Sequence, residues 1–531
     1  MPVHVPVHVP VRLALIRAVR AAALATVLTA ASCAQNPVTG KSDFVVVSEE
    51  QELRMGRAYD QQIKKESPLY DHKNSDHKNG SDAGLAAYVE QIGLTLAQHS
   101  HRANLVYRFA VQDSPEVNAF ALPGGFIYVT RGILAYLNSE AELAAVMGHE
   151  IGHVTARHSV RQISAQQGAS IGLTIASIFI PGLRNQAAGN LTNLAANALL
   201  SGYGREHELE ADRLGAEYLA RTGYPVQSMI KVIGVLKNQE TFDAQLAQEE
   251  NRPPRVYHGL FASHPENDAR LKEVIAEAGR VVSASTVVNA VTNTGVASAG
   301  AIVNRGERRD AFLAKLDGVV FADNTSQGVV RNNTFYHAEL GLVMKFADGW
   351  RVLNRPDRLR AIAPGGEAFI DILIETPPQG TAGTAAMAPQ DRLKRKVAVD
   401  GEVDVTPVNG QPAAIGNVRG ANVRAGIVYL NQTEPQKAFA LVGQAKTADA
   451  LKRHLDAINA SFKTMRAFAD ADKKLAEPLR IRIITADAGT RYAELAKKSP
   501  LGRHAEAQLR LINAHYPTGE PTPGQKLKVI Q

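Results

Sequence analysis

The chain has 531 residues, of which 45% are apolar and 21% charged, and it carries a formal charge of +7. That length exceeds one ordinary core, so roughly two to four domains are expected, with the balance of a globular protein. The mild cationic excess suits anionic lipid or cell-wall surfaces; no arginine-rich stripe argues for nucleic acid, and a lone cysteine excludes an intramolecular disulfide.

The N-terminus reads as an export signal over residues 1–33. Arg12, Arg17 and Arg20 stand without acids, and Ala21 to Ala31 is an uncharged apolar run too short for a lasting membrane span. Ala30-Ala31-Ser32-Cys33 resembles a bacterial lipobox, which implies Cys33 as the lipidated first residue of the mature chain. Cleavage of an ordinary signal near Ser32 is the alternative. His4 and His8 in the opening VHVPVHVP belong to a variable n-region, not a metal site.

After a polar stretch, NPVTGKSD, a helix is expected near Ser48, with Gln51 completing a capping box. The repeated DHKN at 71–74 and 76–79 reads as a hydrated turn. Leu85, Val89, Ile92 and Leu96 share a helical face over 82–98. Leu105, Tyr107, Phe109 and Val111 alternate as in a strand, and Phe126 to Val129 is a second strand after the Pro123-Gly124-Gly125 turn. A helix begins at Ser139, with Glu142 in a capping box, and is expected to run past His158. Residues 169–183 suggest a buried helical hairpin, with a patch touching the membrane as the alternative. The GxSxG match at Gly168 to Gly172 falls in this helical stretch without the strand that a nucleophile elbow needs. A further helix covers about Glu206 to Thr222 and stops at Gly223.

His149-Glu150-Ile151-Gly152-His153 is an HExxH. At i and i+4 both imidazoles leave one helix face and can bind one tetrahedral Zn²⁺, while Glu150 beside them can take a proton from water. The metzincin third ligand is missing, since Ala156 and Ser159 stand where Gly and His would be required, and His158 is expected to face elsewhere. The segment Arg205 to Asp212 supplies Glu208 and Asp212, again i and i+4. One of these carboxylates can ligate the metal while the other accepts a ligand histidine's ring N–H.

HExxH followed by ExxAD resembles the membrane-associated gluzincin metallopeptidases that include the CAAX prenyl protease, HtpX and BepA-type peptidases. The likeness takes in Asn118 to Gly125, Phe126 to Val129, Gly132 and Ser263-His264-Pro265, over roughly 36–278, and the opening Cys33 to Gly40 resembles the exported lipoprotein members. It implies His149, His153 and Glu208 as zinc ligands, Glu150 as general base, Asp212 as a second acid group, and one Zn²⁺ per chain. It also implies that His264 can approach the metal and hold the enzyme latent; the local alternative is a helix start before Pro265. The strand Phe126, Ile127, Tyr128 and Val129 is expected to offer a free edge for an extended substrate.

The expected architecture is α+β. A mainly helical gluzincin peptidase domain with a small edge-strand sheet (34–278) is followed by a linker (279–332), an α/β sandwich module (333–468) and a βααβ module (478–531). The sandwich resembles PsbP-like proteins through GLVMKFADGW and SFKTM; the last module resembles LysM, although Ala488-Gly489-Thr490 replaces its usual Gly-Asp-Thr. Together these readings imply a periplasmic metalloendopeptidase anchored to the outer membrane by lipid. It would clear unfolded or misassembled envelope proteins, with peptidoglycan or the outer-membrane assembly machinery as partners. A latent protease acting mainly as a chaperone or assembly scaffold, and a wall-binding lipoprotein with a decayed site, are the other classes.

Overall fold

The computed structural model describes residues 33–45, 47–66, 68–70, 81–165, 203–250, 304–355, 358–375, 387–430 and 437–531. Helices and sheets are mixed along the chain, as an α+β reading requires. The stretch after Cys33 is a hairpin of β1 (Cys33–Gln35) and β2 (Ser42–Phe44). Asn36 Oδ1 closes its turn by accepting the N–H groups of Val38 and Thr39 at 2.8 and 3.0 Å. Ser48 and Gln51 cap α1 (Glu49–Glu66) reciprocally, at 2.8 and 3.2 Å. α2 (Ser81–Ala97) buries Leu85, Val89, Ile92 and Leu96 and packs on β3 (Arg108–Gln112).

β3, β4 (Ala119–Leu122) and β5 (Phe126–Thr130) form a sheet in the order β3-β5-β4. This corrects the expectation for Phe126, Ile127, Tyr128 and Val129. Their strand is central, paired parallel with β3 through Phe109↔Ile127 and antiparallel with β4 through Ala121↔Ile127. All of its residues are buried, and a uniformly apolar run is the pattern of a strand covered on both faces. Among the described residues the edges of this sheet are β3 and β4, and β4 lies against the HExxH helix.

α3 (Arg131–Tyr136) leads into α4 (Glu140–Thr155), whose first turn is capped by Ser139 Oγ accepting Glu142 N–H at 3.2 Å. The Glu142 carboxylate reaches back one residue further than a standard box and accepts Asn138 N–H at 2.7 Å. α4 does not run past His158. Arg157 adopts φ 54°, and a new helix occupies 158–165. Arg157 is held there by Glu52 of α1, to which its Nε donates at 2.9 Å. Glu52 is buried and also accepts from Arg102 at 2.8 Å. α5 (Arg205–Thr222) ends at Gly223 with φ 79°, and α6 (Gln227–Glu249) follows.

The expected linker at 279–332 is corrected over its second half. α7 (Arg309–Leu316) and β6 (Val320–Phe321) place Phe312, Leu313, Leu316, Val320 and Phe321 in the same core as Leu85, Ile127, Leu143 and Leu219. Arg131, fully buried, donates to the carbonyls of Val320 and Ala322 at 2.8 and 2.9 Å and to Asp113 at 2.8 Å. The apolar spacing of Arg309–Leu316 is short and was masked by the small polar residues before it.

The next unit begins at β7 (Val329–Arg331), not at 333. β7, β8 (Thr334–His337), β9 (Leu342–Lys345) and the later β17 (Arg466–Ala467) form a four-stranded antiparallel sheet. A seven-stranded antiparallel sheet has the order β10 (Arg351–Arg355), β11 (Arg358–Ile362), β12 (Ala368–Glu375), β16 (Lys437–Ala445), β15 (Val423–Leu430), β14 (Ala413–Val418), β13 (Val399–Asp404). α8 (Pro389–Lys396) covers β14 and β15 on one face, and α9 (Ala448–Phe462) packs on β12, β15 and β16.

The last stretch has the expected strand-helix-helix-strand order, with β18 (Leu479–Thr485), α10 (Tyr492–Lys497), α11 (Ala505–Ile512) and β19 (Lys526–Ile530). It is not a free-standing module. β18 pairs with β19 on one side and β6 on the other, and Ile481, Tyr492, Leu509, Ile512 and Ile530 join the peptidase-side core. Lys528 is fully buried, and its Nζ donates to the carbonyls of Ala135 and Leu137 at 2.8 and 2.6 Å.

Candidate metal centre

Two helices build the centre, and small residues let them touch. A Cβ on Gly152 would lie 2.9 Å from Ala211 O, and one on Gly215 would lie 3.0 Å from His149 N. That close approach of α4 and α5 sets Glu208 opposite the HExxH face. His149 Nε2, His153 Nε2 and a Glu208 oxygen all lie within 4.8 Å of one another, with every ligand residue buried. The separations are 3.0 Å between the two Nε2 atoms, 3.6 Å from His149 to Glu208 and 3.4 Å from His153 to Glu208. A tetrahedral ion with bonds of ~2.0–2.1 Å spaces its ligand atoms ~3.3 Å apart, so the donors present fit zinc.

The atoms behind the ligands are also placed. Asp212 Oδ1 accepts the Nδ1–H of His149 at 2.8 Å, which leaves Nε2 for the metal. Asp212 thus lies behind His149, at the ring nitrogen opposite the one that faces His153 and Glu208. Glu150 is fully buried on the ligand helix.

Four further residues complete the centre, and the sequence reading did not assign them. His158 faces inward, correcting its dismissal, and its Nδ1 lies 2.8 Å from Nδ1 of His153. Its Nε2 meets Glu210 Oε2 at 3.0 Å, and burial pushes its pKa below the ordinary imidazole value. Tyr203 stacks on His153 with ring centres 4.0 Å apart, its hydroxyl 2.7 Å from Ser159 Oγ. His207 stacks on His158 at 4.4 Å. Burial and the neighbouring His158 and Arg161 lower its pKa to about 4. The signal available for Glu210 was its place inside the ExxAD helix. For His158 it was five-residue spacing, which an unbroken helix would have carried away from the site.

Burial raises the Glu210 pKa, but hydrogen bonds from His158 and Arg161 outweigh it and hold the carboxyl at about 2 instead of its ordinary 4.5. A folded-state pKa below the unfolded value stabilises the fold above the unfolded pKa, and that contribution fades as pH falls toward the folded one. The gap in stability between wild type and Glu210→Gln should therefore narrow as acid is added from 4.5 toward 2. Acid titrations of both proteins followed by circular dichroism check this; a constant gap would refute it.

His264 lies outside the described residues, as do residues 166–202 with the expected hairpin. Cys33 opens β1.

Comparison with known proteins agrees with this geometry. Residues 84–278 match the model of Peptidase family M48. The chain is 30% identical over 244 residues to the Beta-barrel assembly-enhancing protease of Escherichia coli (strain K12), covering 45% of this chain and 46% of that one. It is 36% identical over 129 residues to the Mitochondrial metalloendopeptidase OMA1 of Arabidopsis thaliana, covering 24% and 25%. The chain thus spans less than half the length of these curated relatives. The solution structure of cyanobacterial PsbP from Synechocystis sp. PCC 6803 is similar at TM-score 0.20 and 9% identity over 28% of this chain and 98% of that one, too low to argue a fold. Both ligand-bearing helices, α4 and α5, lie inside the span, residues 84–278, that is similar to Peptidase family M48.

Proposed function

We propose that the chain is a zinc-dependent endopeptidase of the bacterial cell envelope that cleaves unfolded or misassembled envelope proteins. The convergence of His149, His153 and Glu208 on one buried point, with Glu150 on the same helix, carries this reading. Zinc bound there supplies Lewis-acid polarisation of the scissile carbonyl and acidifies water. Glu150 accepts the proton of the attacking water and hands it to the leaving amine. Asp212 keeps the His149 ring turned toward the metal. β4, the edge of its sheet that lies against the HExxH helix, offers backbone groups to an extended peptide, a mode that reads main chain and favours unfolded segments.

The name of the Escherichia coli relative supports an envelope setting and a part in outer-membrane protein assembly. The lipobox-like Ala30 to Cys33 supports a periplasmic chain tethered to the outer membrane through Cys33, and no described helix is long and apolar enough to cross a membrane. The LysM-like reading of 478–531 is kept for its strand-helix-helix-strand order, with docking on the peptidase unit favoured over peptidoglycan binding because Lys528 is spent inside the core. A chelator should abolish casein cleavage, and added zinc should restore it. Cleavage that persists in the chelator would sink the reading.

A further inference from the structure

The two ligand histidines are held differently. His149 rests directly on a buried carboxylate, Asp212, which is 1% exposed. His153 rests on a second imidazole, and the carboxylate stands one group further out. If Nε2 of His153 faces the metal, its Nδ1 carries the proton and donates to Nδ1 of His158 at 2.8 Å. His158 must then carry its own proton on Nε2, which donates to Glu210 Oε2 at 3.0 Å. Glu210 Oε2 also accepts from Arg161 Nη1 at 2.8 Å. Arg161 Nε in turn lies 3.6 Å from Asp43 Oδ2, and that oxygen accepts from Asn36 Nδ2 at 2.7 Å. The path leads outward by hydrogen bonds as far as Arg161 and reaches Asp43 through an ion pair. The His158 side chain is 0% exposed, Glu210 15%, Arg161 27% and Asp43 26%.

We propose that the N-terminal hairpin β1–β2 positions the zinc ligand His153 through the side-chain chain Asp43, Arg161, Glu210 and His158, so that docking of this hairpin sets the metal affinity of the site. Each member fixes the next one's orientation, and His158 fixes the tautomer of His153. The hairpin directly follows the segment read as the export signal, so what pulls or releases it acts on one metal ligand and not on the other. Asp43 and Arg161 lie outside the residue types that touch the reaction, and they act as positioning residues.

The inference rests on the zinc site proposed above, and the test separates the two. Zinc affinity of the full chain is measured by competition with a chromophoric chelator, for wild type, His149→Ala, His158→Phe, His158→Asn, Arg161→Met and Asp43→Asn. Losing a group that orients a metal-bound histidine weakens binding ~10–100-fold. His158→Phe should show that loss. His158→Asn, whose Oδ1 can still accept from His153 but whose link to Glu210 is cut, should lose less than His158→Phe and about as much as Arg161→Met, a partial rescue that a purely packing role would not give. Arg161→Met should weaken zinc by about threefold to tenfold and Asp43→Asn by less, in that order, as screening grows toward the surface. If His158→Phe fails to fold, the two rim variants carry the test. Wild-type affinity in His158→Phe or in Arg161→Met, or equal losses in His158→Phe and His158→Asn, overturns the inference while the zinc site stands. Failure of wild type to bind zinc more tightly than His149→Ala overturns the site and this inference with it.

Discussion

Glu150→Gln is expected to retain zinc and to lower casein cleavage by about 10³-fold, within the range that a positioned general base contributes. Glutamine matches glutamate in shape, so a side chain buried as fully as Glu150 is replaced without a cavity. It cannot accept the proton of the attacking water. The ligand set of His149, His153 and Glu208 is untouched, so metal content should equal that of wild type. Metal analysis and initial rates on the same preparations check both halves. Cleavage at the wild-type rate with zinc in place would remove Glu150 from the mechanism; loss of zinc together with activity would make it a structural residue.

Lys528→Met should destabilise the peptidase unit by about 3 kcal/mol, the scale on which two buried carbonyls lose the donor they share. Burial pushes the Lys528 ammonium well below its ordinary pKa, and Glu142, across from it at the start of the HExxH helix, pulls the other way. Removing the amino group leaves the buried carbonyls of Ala135 and Leu137 without its donors. In calorimetry the lowest-temperature transition should fall, because a chain of several units has no single unfolding free energy. An unchanged melting profile for Lys528→Met would mean that the C-terminal strand is not bound into the core.

What could be read from the residues alone follows the range of the forces involved. The HExxH pair is local geometry, two imidazoles one helical turn apart, and it needed nothing beyond α4. The capping box at Ser48 is local in the same sense. His158 was lost because its direction depends on the break at Arg157. That break depends on Glu52, 105 residues upstream, and no window of sequence contains both. The edge assigned to Phe126–Val129 failed for a related reason. An apolar run shows that a strand is buried, but which neighbours it pairs with is a property of the whole sheet. Phe312, Leu313 and Leu316 were passed over because eight residues are too few to stand out beside a long stretch of small and polar ones.

The position of Lys528 has a consequence for the order in which the protein is made. A chain is synthesised from its N-terminus, and the HExxH helix is complete long before the residue that fastens its approach, since Lys528 follows Ala135 by 393 residues. Until that strand arrives, the turn between α3 and α4 lacks its internal cation and the shared core lacks β18 and β19. The approach to the HExxH helix therefore gains its last internal fastening only once Lys528 has been delivered.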